Sequence, residues 1–173
     1  MGTFITTLDF IGEKTVATDK FTEEQLDNYI NSEEVSILNL LLGVELYNEF
    51  LADYNAPTEK EPTSDKFKVI FKPFKFDKDC KILISDGIKD MLVGFIYYSF
   101  IRDSKNKKNI GGTNKNKQAN SESLPFVETN INRVYNDAVA TYKFIQYYIC
   151  WNPEGYDYKK YNGQKKAFNN LVM

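Results

Sequence analysis

The sequence contains no histidine, and this one absence removes the commonest general base and the commonest neutral metal ligand together. Cysteine is scarce as well. Cys80 and Cys150 are the only two, too far apart for a zinc site and too few for a secreted disulfide scaffold. No segment resembles a signal peptide, so both are expected to be reduced, packing thiols in a cytosolic product. There is no phosphate-cradling GxxxxGK(S/T), no GxGxxG after a strand and no GxSxG elbow. The longest unbroken apolar run, "MLVGFIYYSFI" (91–101), falls well short of the roughly 20 residues a membrane span needs. It reads as a buried helix, and no membrane partner is expected. The formal net charge of -2 excludes a chain that is basic overall and drawn to nucleic acid for that reason. Asp and Glu are scattered over what read as solvated helix faces. No catalytic residue, metal ligand or cofactor is therefore expected, and an enzyme is the disfavoured class.

What is present is an ordinary globular composition, 42% hydrophobic and 27% charged over 173 residues, enough for one domain with a real core. Aromatic residues make up 15%, mostly Phe and Tyr. Some of these rings are expected to serve contacts between molecules, where Tyr is favoured for being apolar with one polar tip.

Residues 1–21 hold no sustained period and read as an N-terminal arm. In "TEEQLDNYINSEEVSILNLLLG", Thr22 and Gln25 form a capping box, with Glu23 and Glu24 favourable in the first turn. Leu26, Ile30, Ile37, Leu38, Leu41 and Leu42 mostly keep a 3.6 period, interrupted by polar residues at 31–34. The spacing predicts a helix over 22–42 with a kink near Ser32. Gly43 stands where a left-handed cap belongs, which makes it a structural corner rather than a weak point inside one helix. A shorter helix follows in "VELYNEFLADY", with Leu46, Tyr47, Phe50 and Leu51 as its buried stripe.

Residues 55–65 read as a linker. In "KFKVIFKPFKF" (66–76), Phe67, Val69 and Phe71 alternate with Lys66, Lys68, Ile70 and Lys72, which predicts a strand. Pro73 cannot donate to a central ladder, so the strand is an edge or a pair-former interrupted there, and lysines on an exposed edge discourage promiscuous pairing. It either joins a neighbour's sheet or pairs within the chain. A third helix is predicted over 78–102, with Ile84, Ile88, Met91, Phe95 and Tyr98 as one stripe and Leu92, Ile96 and Tyr97 widening it. A helix apolar on most sides is central, and Gly87 and Gly94 suggest close approach of a neighbour. A fourth helix is predicted over 126–150 from Val127, Ile131, Val134, Ala138, Tyr142, Ile145 and Ile149, ended by Asn152–Pro153. The expected fold is mainly α: a four-helix bundle (22–151) with a short strand or hairpin segment, and extended arms at 1–21 and 152–173.

The appendages carry the functional signals. The polar loop 103–124, with a Gly-Gly pair at 111–112 where a hairpin turn fits, is long enough to suggest function or disorder. Arg102, Lys105, Lys107, Lys108, Lys115 and Lys117 either face a DNA backbone or an acidic partner, or simply keep a loop solvated. No aromatics interleave with them, so a single-strand stacking platform is not expected. Tyr156, Tyr158, Tyr161 and Phe168 make the tail either a docking peptide that orders on a partner or a wrap for its own helices.

"INSEEVSILNLLLGVELYNEFL" resembles the signature of small tailed-phage head–tail connector proteins, a helix ending in "LLG" followed by "xxLY". The matching positions are Leu41, Leu42, Gly43, Leu46 and Tyr47. The later order agrees: "YYSFIRD", a polar loop with "GG…NSES", then "NRVYNDAVATYKFIQYY" and an aromatic tail. The resemblance covers about residues 20–150 and is strongest to the connectors of phages of Bacteroidetes bacteria. It departs in its longer 55–76 region and in Asn31–Glu34, where Ala-Gln is common. It implies a non-enzymatic adaptor in a homo-oligomeric ring of about twelve copies beneath the portal protein, touching lateral neighbours heterologously. Such a ring extends the channel for packaged DNA and docks tail or neck proteins. The implied location is the neck of the virion, after assembly in the bacterial cytoplasm. On this reading Phe67, Val69 and Phe71 form a partner-docking strand, and the aromatic tail is a second grip. Two other classes remain open: a small DNA-binding or regulatory protein using the basic loop, and, well behind it, an enzyme with a carboxylate site.

Overall fold

Asp19, not Thr22, opens the first helix. Its carboxylate accepts from the Thr22 amide at 3.0 Å and from the Thr22 hydroxyl at 2.5 Å, which satisfies an end-of-helix donor. The computed structural model describes residues 4–17, 19–55, 61–78, 81–104, 108–109, 112–113, 125–157 and 161–167. Over these the chain is mainly helical. Helix α1, Lys20–Leu42, runs as one continuous helix through the polar stretch at 31–34. It ends at Gly43, where φ is +76°. The Gly43 amide donates to Asn39 O and its carbonyl accepts from Tyr47 N, both at 2.9 Å. Helix α2, Val44–Asn55, thus starts in the next residue and buries Leu46, Tyr47, Phe50 and Tyr54. Leu51 packs at the margin of the core.

The predicted strand at 66–76 is corrected. Residues Asp65–Phe71 form a short helix, α3, and the strand lies further on as β1, Phe74–Lys78. The alternation of Phe67, Val69 and Phe71 competes with a helical set, Phe67, Ile70 and Phe71, and it is this second set that is buried. Phe67 and Phe71 stand 5.3 and 6.2 Å from the Phe50 ring, while Val69 is only half-buried. The Asp53 carboxylate fixes the start of α3 by accepting from the amides of Thr63 at 2.9 Å and Ser64 at 3.1 Å. Phe67 and Phe71 are therefore core residues rather than strand contacts.

Strand β1 pairs antiparallel with β2, Lys81–Ser85, setting Phe74 opposite Ser85 and Phe76 opposite Leu83. The helix predicted from 78 accordingly begins later, as α4, Gly87–Ser104. Ile84 leaves the predicted stripe for the exposed face of β2. Gly87, at φ +83°, opens α4 where a Cβ would stand 2.6 Å from the Lys72 carbonyl. Helix α4 is buried nearly all round, from Ile88 to Phe100, and lies against α5, Pro125–Trp151. Gly94 permits that approach: a Cβ there would meet the Ala138 methyl at 2.9 Å. Beyond α4, β3 (Lys108–Asn109) and β4 (Gly112–Thr113) form a small hairpin, as the Gly-Gly pair suggests. After Asn152 a single turn, α6, Pro153–Tyr156, closes the helical set.

The segment before α1 is not a projecting arm. It forms two 3-10 turns, Thr7–Asp9 and Gly12–Lys14, and Phe4, Ile5 and Phe10 are buried in the same core as Leu38, Phe95, Tyr142 and Tyr156. Among the described residues, no helix is long and apolar enough to cross a membrane.

Candidate interaction surfaces

The tail is held by the carbonyls that α1 leaves open at its C-terminal end. Tyr161 donates its hydroxyl to Leu41 O at 2.8 Å, and the Gln164 amide donates to Leu40 O at 2.6 Å. In return Gln164 O accepts from the Tyr142 hydroxyl at 2.5 Å and from the Gln146 side-chain amide at 2.8 Å, both on α5. The Asn162 side chain lies in the space a Cβ on Gly43 would need. Earlier in the tail, the buried Tyr156 donates to Lys66 O at 2.5 Å. Of the residues expected to dock a partner, Tyr156 and Tyr161 thus hold the chain to itself, which corrects that expectation for both. Tyr158 and Phe168 lie outside the described residues.

A second internal clasp sits in the polar stretch of α1. Glu34 is 3% exposed, and its two carboxylate oxygens accept from the amides of Phe4 at 3.2 Å and Ile5 at 2.8 Å. Burial pushes its carboxyl up to about 7 against the pull of those two amides, with the Asp9 charge adding to the rise. Sequence reasoning passed over Glu34, although it falls between Ile30 and Leu38 on the apolar stripe. An acid at such a position needs a buried donor.

Of the basic segment, residues 102–104, 108–109 and 112–113 are described. Arg102, in the last turn of α4, donates from Nε to Asp103 at 2.7 Å and lies 5.5 Å from the Tyr98 ring. Asp103 also accepts from the Tyr29 hydroxyl at 3.1 Å. Lys108 is in β3, and Lys105, Lys107, Lys115 and Lys117 lie outside the described residues.

The β1–β2 hairpin has two unlike faces. Phe74 and Phe76 turn inward onto Tyr148, at 4.9 and 5.0 Å, and Phe76 reaches Trp151 at 6.0 Å. Lys78 tethers the turn end by donating to Trp151 O at 3.0 Å. The outward face presents Lys75, Asp77, Ile82 and Ile84, with Ile82 57% and Ile84 64% exposed. Among the described residues, no backbone hydrogen bond from either strand leaves the hairpin. The other exposed large apolar side chains among the described residues are Leu8, Ile11, Phe21, Val44 and Tyr147, with Leu8 in the first 3-10 turn and Ile11 capping the second.

Between α1, α4, α5 and the tail runs a groove of about 270 Å³, walled by Phe95, Tyr98 and Tyr135. Lys166 enters it from the tail, with its ammonium 4.3 Å from the Phe95 ring centroid. Burial lowers the pKa of this ammonium, and the Glu33 charge opposes the shift. Nothing in the sequence around Lys166 signals this position, which depends on where the tail crosses the helices.

Cys150 is a free, half-buried thiol whose pKa burial raises, and Cys80 lies outside the described residues. Among the described residues, no group of three or more Cys, Asp or Glu side chains is placed to hold a metal ion. Compared with known proteins, the chain matches no family model, no curated protein and no solved structure.

Proposed function

We propose that this chain is a non-enzymatic structural subunit of a tailed-phage virion, a head–tail connector that forms a ring beneath the portal and carries the DNA channel towards the tail. The observation that supports this most is the corner at Gly43. The stretch that resembles the connector signature folds as helix, corner, helix, with Gly43 at positive φ and Leu46 and Tyr47 buried directly after it. In this reading α1, α2, α4 and α5 are the four helices of a bundle that serves as the wedge of the ring. The exposed hairpin face and the lysine-bearing 103–124 segment are its outward grips.

A ring subunit needs unlike surfaces on its two sides. The outward face of β1–β2, with Ile82 and Ile84, and the segment of the 3-10 turns, with Leu8 and Ile11, expose apolar side chains that such contacts could use. Apolar residues of this size collected at a few places mark contact sites more often than isolated ones do. The lysine segment meets packaged DNA non-specifically or an acidic portal surface.

The test is charge neutralisation. Replacing Lys105, Lys107, Lys108, Lys115 and Lys117 by Gln should leave the isolated chain folded by circular dichroism while impairing particle assembly or genome retention. Normal particle yield and full genome retention with the five-fold variant would reject this role for the segment.

A further inference from the structure

The groove beside the tail holds a lysine ammonium, that of Lys166, with no carboxylate in contact among the described residues. This ammonium is half-buried and faces the Phe95 and Tyr142 rings at 4.3 and 6.0 Å. Ring faces compensate only part of the hydration lost by a cation, so an ammonium in this position has unmet demand for an anionic acceptor. Arg102 contributes a second positive group to the same groove, braced by Asp103 and Tyr98. Glu33 stands at the groove as well, acting on Lys166 only at a distance.

We propose that this groove binds the carboxylate of an aspartate or glutamate side chain presented by a partner polypeptide, with Lys166 as its direct ion-pair partner and Arg102 as the supporting cation. A polypeptide carboxylate fits better than a nucleic-acid backbone for two reasons. The walls are aromatic, which suits the methylenes of an acidic side chain. Glu33 at the groove would repel a polyanion more strongly than a single carboxylate. The inference does not depend on the connector reading, because it rests on Lys166 and the groove alone.

The experiment is an NMR titration of the full chain, following the amides of residues 161–167 and the lysine side-chain signals. The probes are N-acetyl-glutamate methylamide, its neutral glutamine counterpart, inorganic phosphate and a short DNA duplex. The glutamate compound should shift these signals saturably with a millimolar dissociation constant, and the glutamine compound should not. Lys166→Met should weaken binding by about tenfold or more, the loss expected for a charge-assisted contact. Glu33→Gln should tighten it by about twofold to fivefold by removing a like charge. That second variant keeps the test decisive if Lys166→Met displaces the tail, because a merely structural lysine would not respond to it. No saturable shift at tens of millimolar, equal shifts with the glutamine compound, or tighter binding of phosphate or DNA at the same residues would each overturn the proposal.

Discussion

Gly43 is subject to two independent constraints. Its φ of +76° is open to glycine and costly for other residues, and the Asn162 side chain occupies the space where a Cβ would go. Gly43→Ala is therefore expected to destabilise the chain by about 1–3 kcal/mol, read as a lower urea midpoint with little change in slope. An unchanged or raised midpoint would show that the corner tolerates a side chain and that the tail does not press on it. The first constraint was legible in the sequence, where a glycine interrupts a leucine-rich helix end. The second was not, because Asn162 is distant in the chain.

Glu34 is the other residue with a specific consequence. Its carboxyl, raised by burial to about 7, binds a proton in the folded chain at pH values where the unfolded chain has lost it. Stability linked to Glu34 is thus fully present below about pH 4.5, is lost as pH rises towards 7, and levels off above that. The groups facing it are Asp9 on the first 3-10 turn and the hydroxyls of Tyr47 and Tyr54 on α2. The expected loss is on the order of 3 kcal/mol, and Glu34→Gln should flatten that part of the profile. A wild-type profile that rises between pH 5 and 7, with the same slope in the variant, would contradict it.

At the scale of elements, the long helices were readable and the short ones were not. Helices α1, α2 and α5 carry enough apolar repeats for their period to be unambiguous. In "KFKVIFKPFKF" the period is ambiguous, because Phe67 and Phe71 belong equally to an alternating set and to a helical one. Packing against Phe50 and the fixing of Thr63 and Ser64 by Asp53 select the helix, and neither partner is local. The same holds for "KILIS", where Ile82, Leu83 and Ile84 form a short unbroken apolar run that adjoins the apolar run of α4 and so reads as its first turns. Because Ile82 and Ile84 face outward on β2, replacing both with Ser should change stability by no more than about 0.5 kcal/mol, the usual range for surface positions. It should nonetheless reduce self-association measured by sedimentation velocity at high concentration. A large stability loss, or association indistinguishable from wild type, would remove the hairpin from the list of contact surfaces.

For the molecule as a whole, sequence reasoning separated two arms from a helical centre, whereas the folded chain draws both onto one core. Phe4 and Ile5 reach it through Glu34, and the tail reaches it through Tyr156, Tyr161 and Gln164. The reason is physical: terminal segments with few apolar residues read as unable to pack alone, and their burial depends on acceptors that other elements leave open. On the proposed connector reading, contacts with partners are left to the hairpin, the 3-10 turns, the groove at Lys166 and residues 103–124. The central claim is that such a chain works as one wedge in a ring at the junction of head and tail. The most direct measurement is electron microscopy of purified phage particles carrying a gold-binding tag on this chain. The account predicts label confined to the tail-bearing vertex, with a closed ring of equivalent subunits there in averaged images. Label spread over the capsid, found along the tail or absent from particles would contradict it.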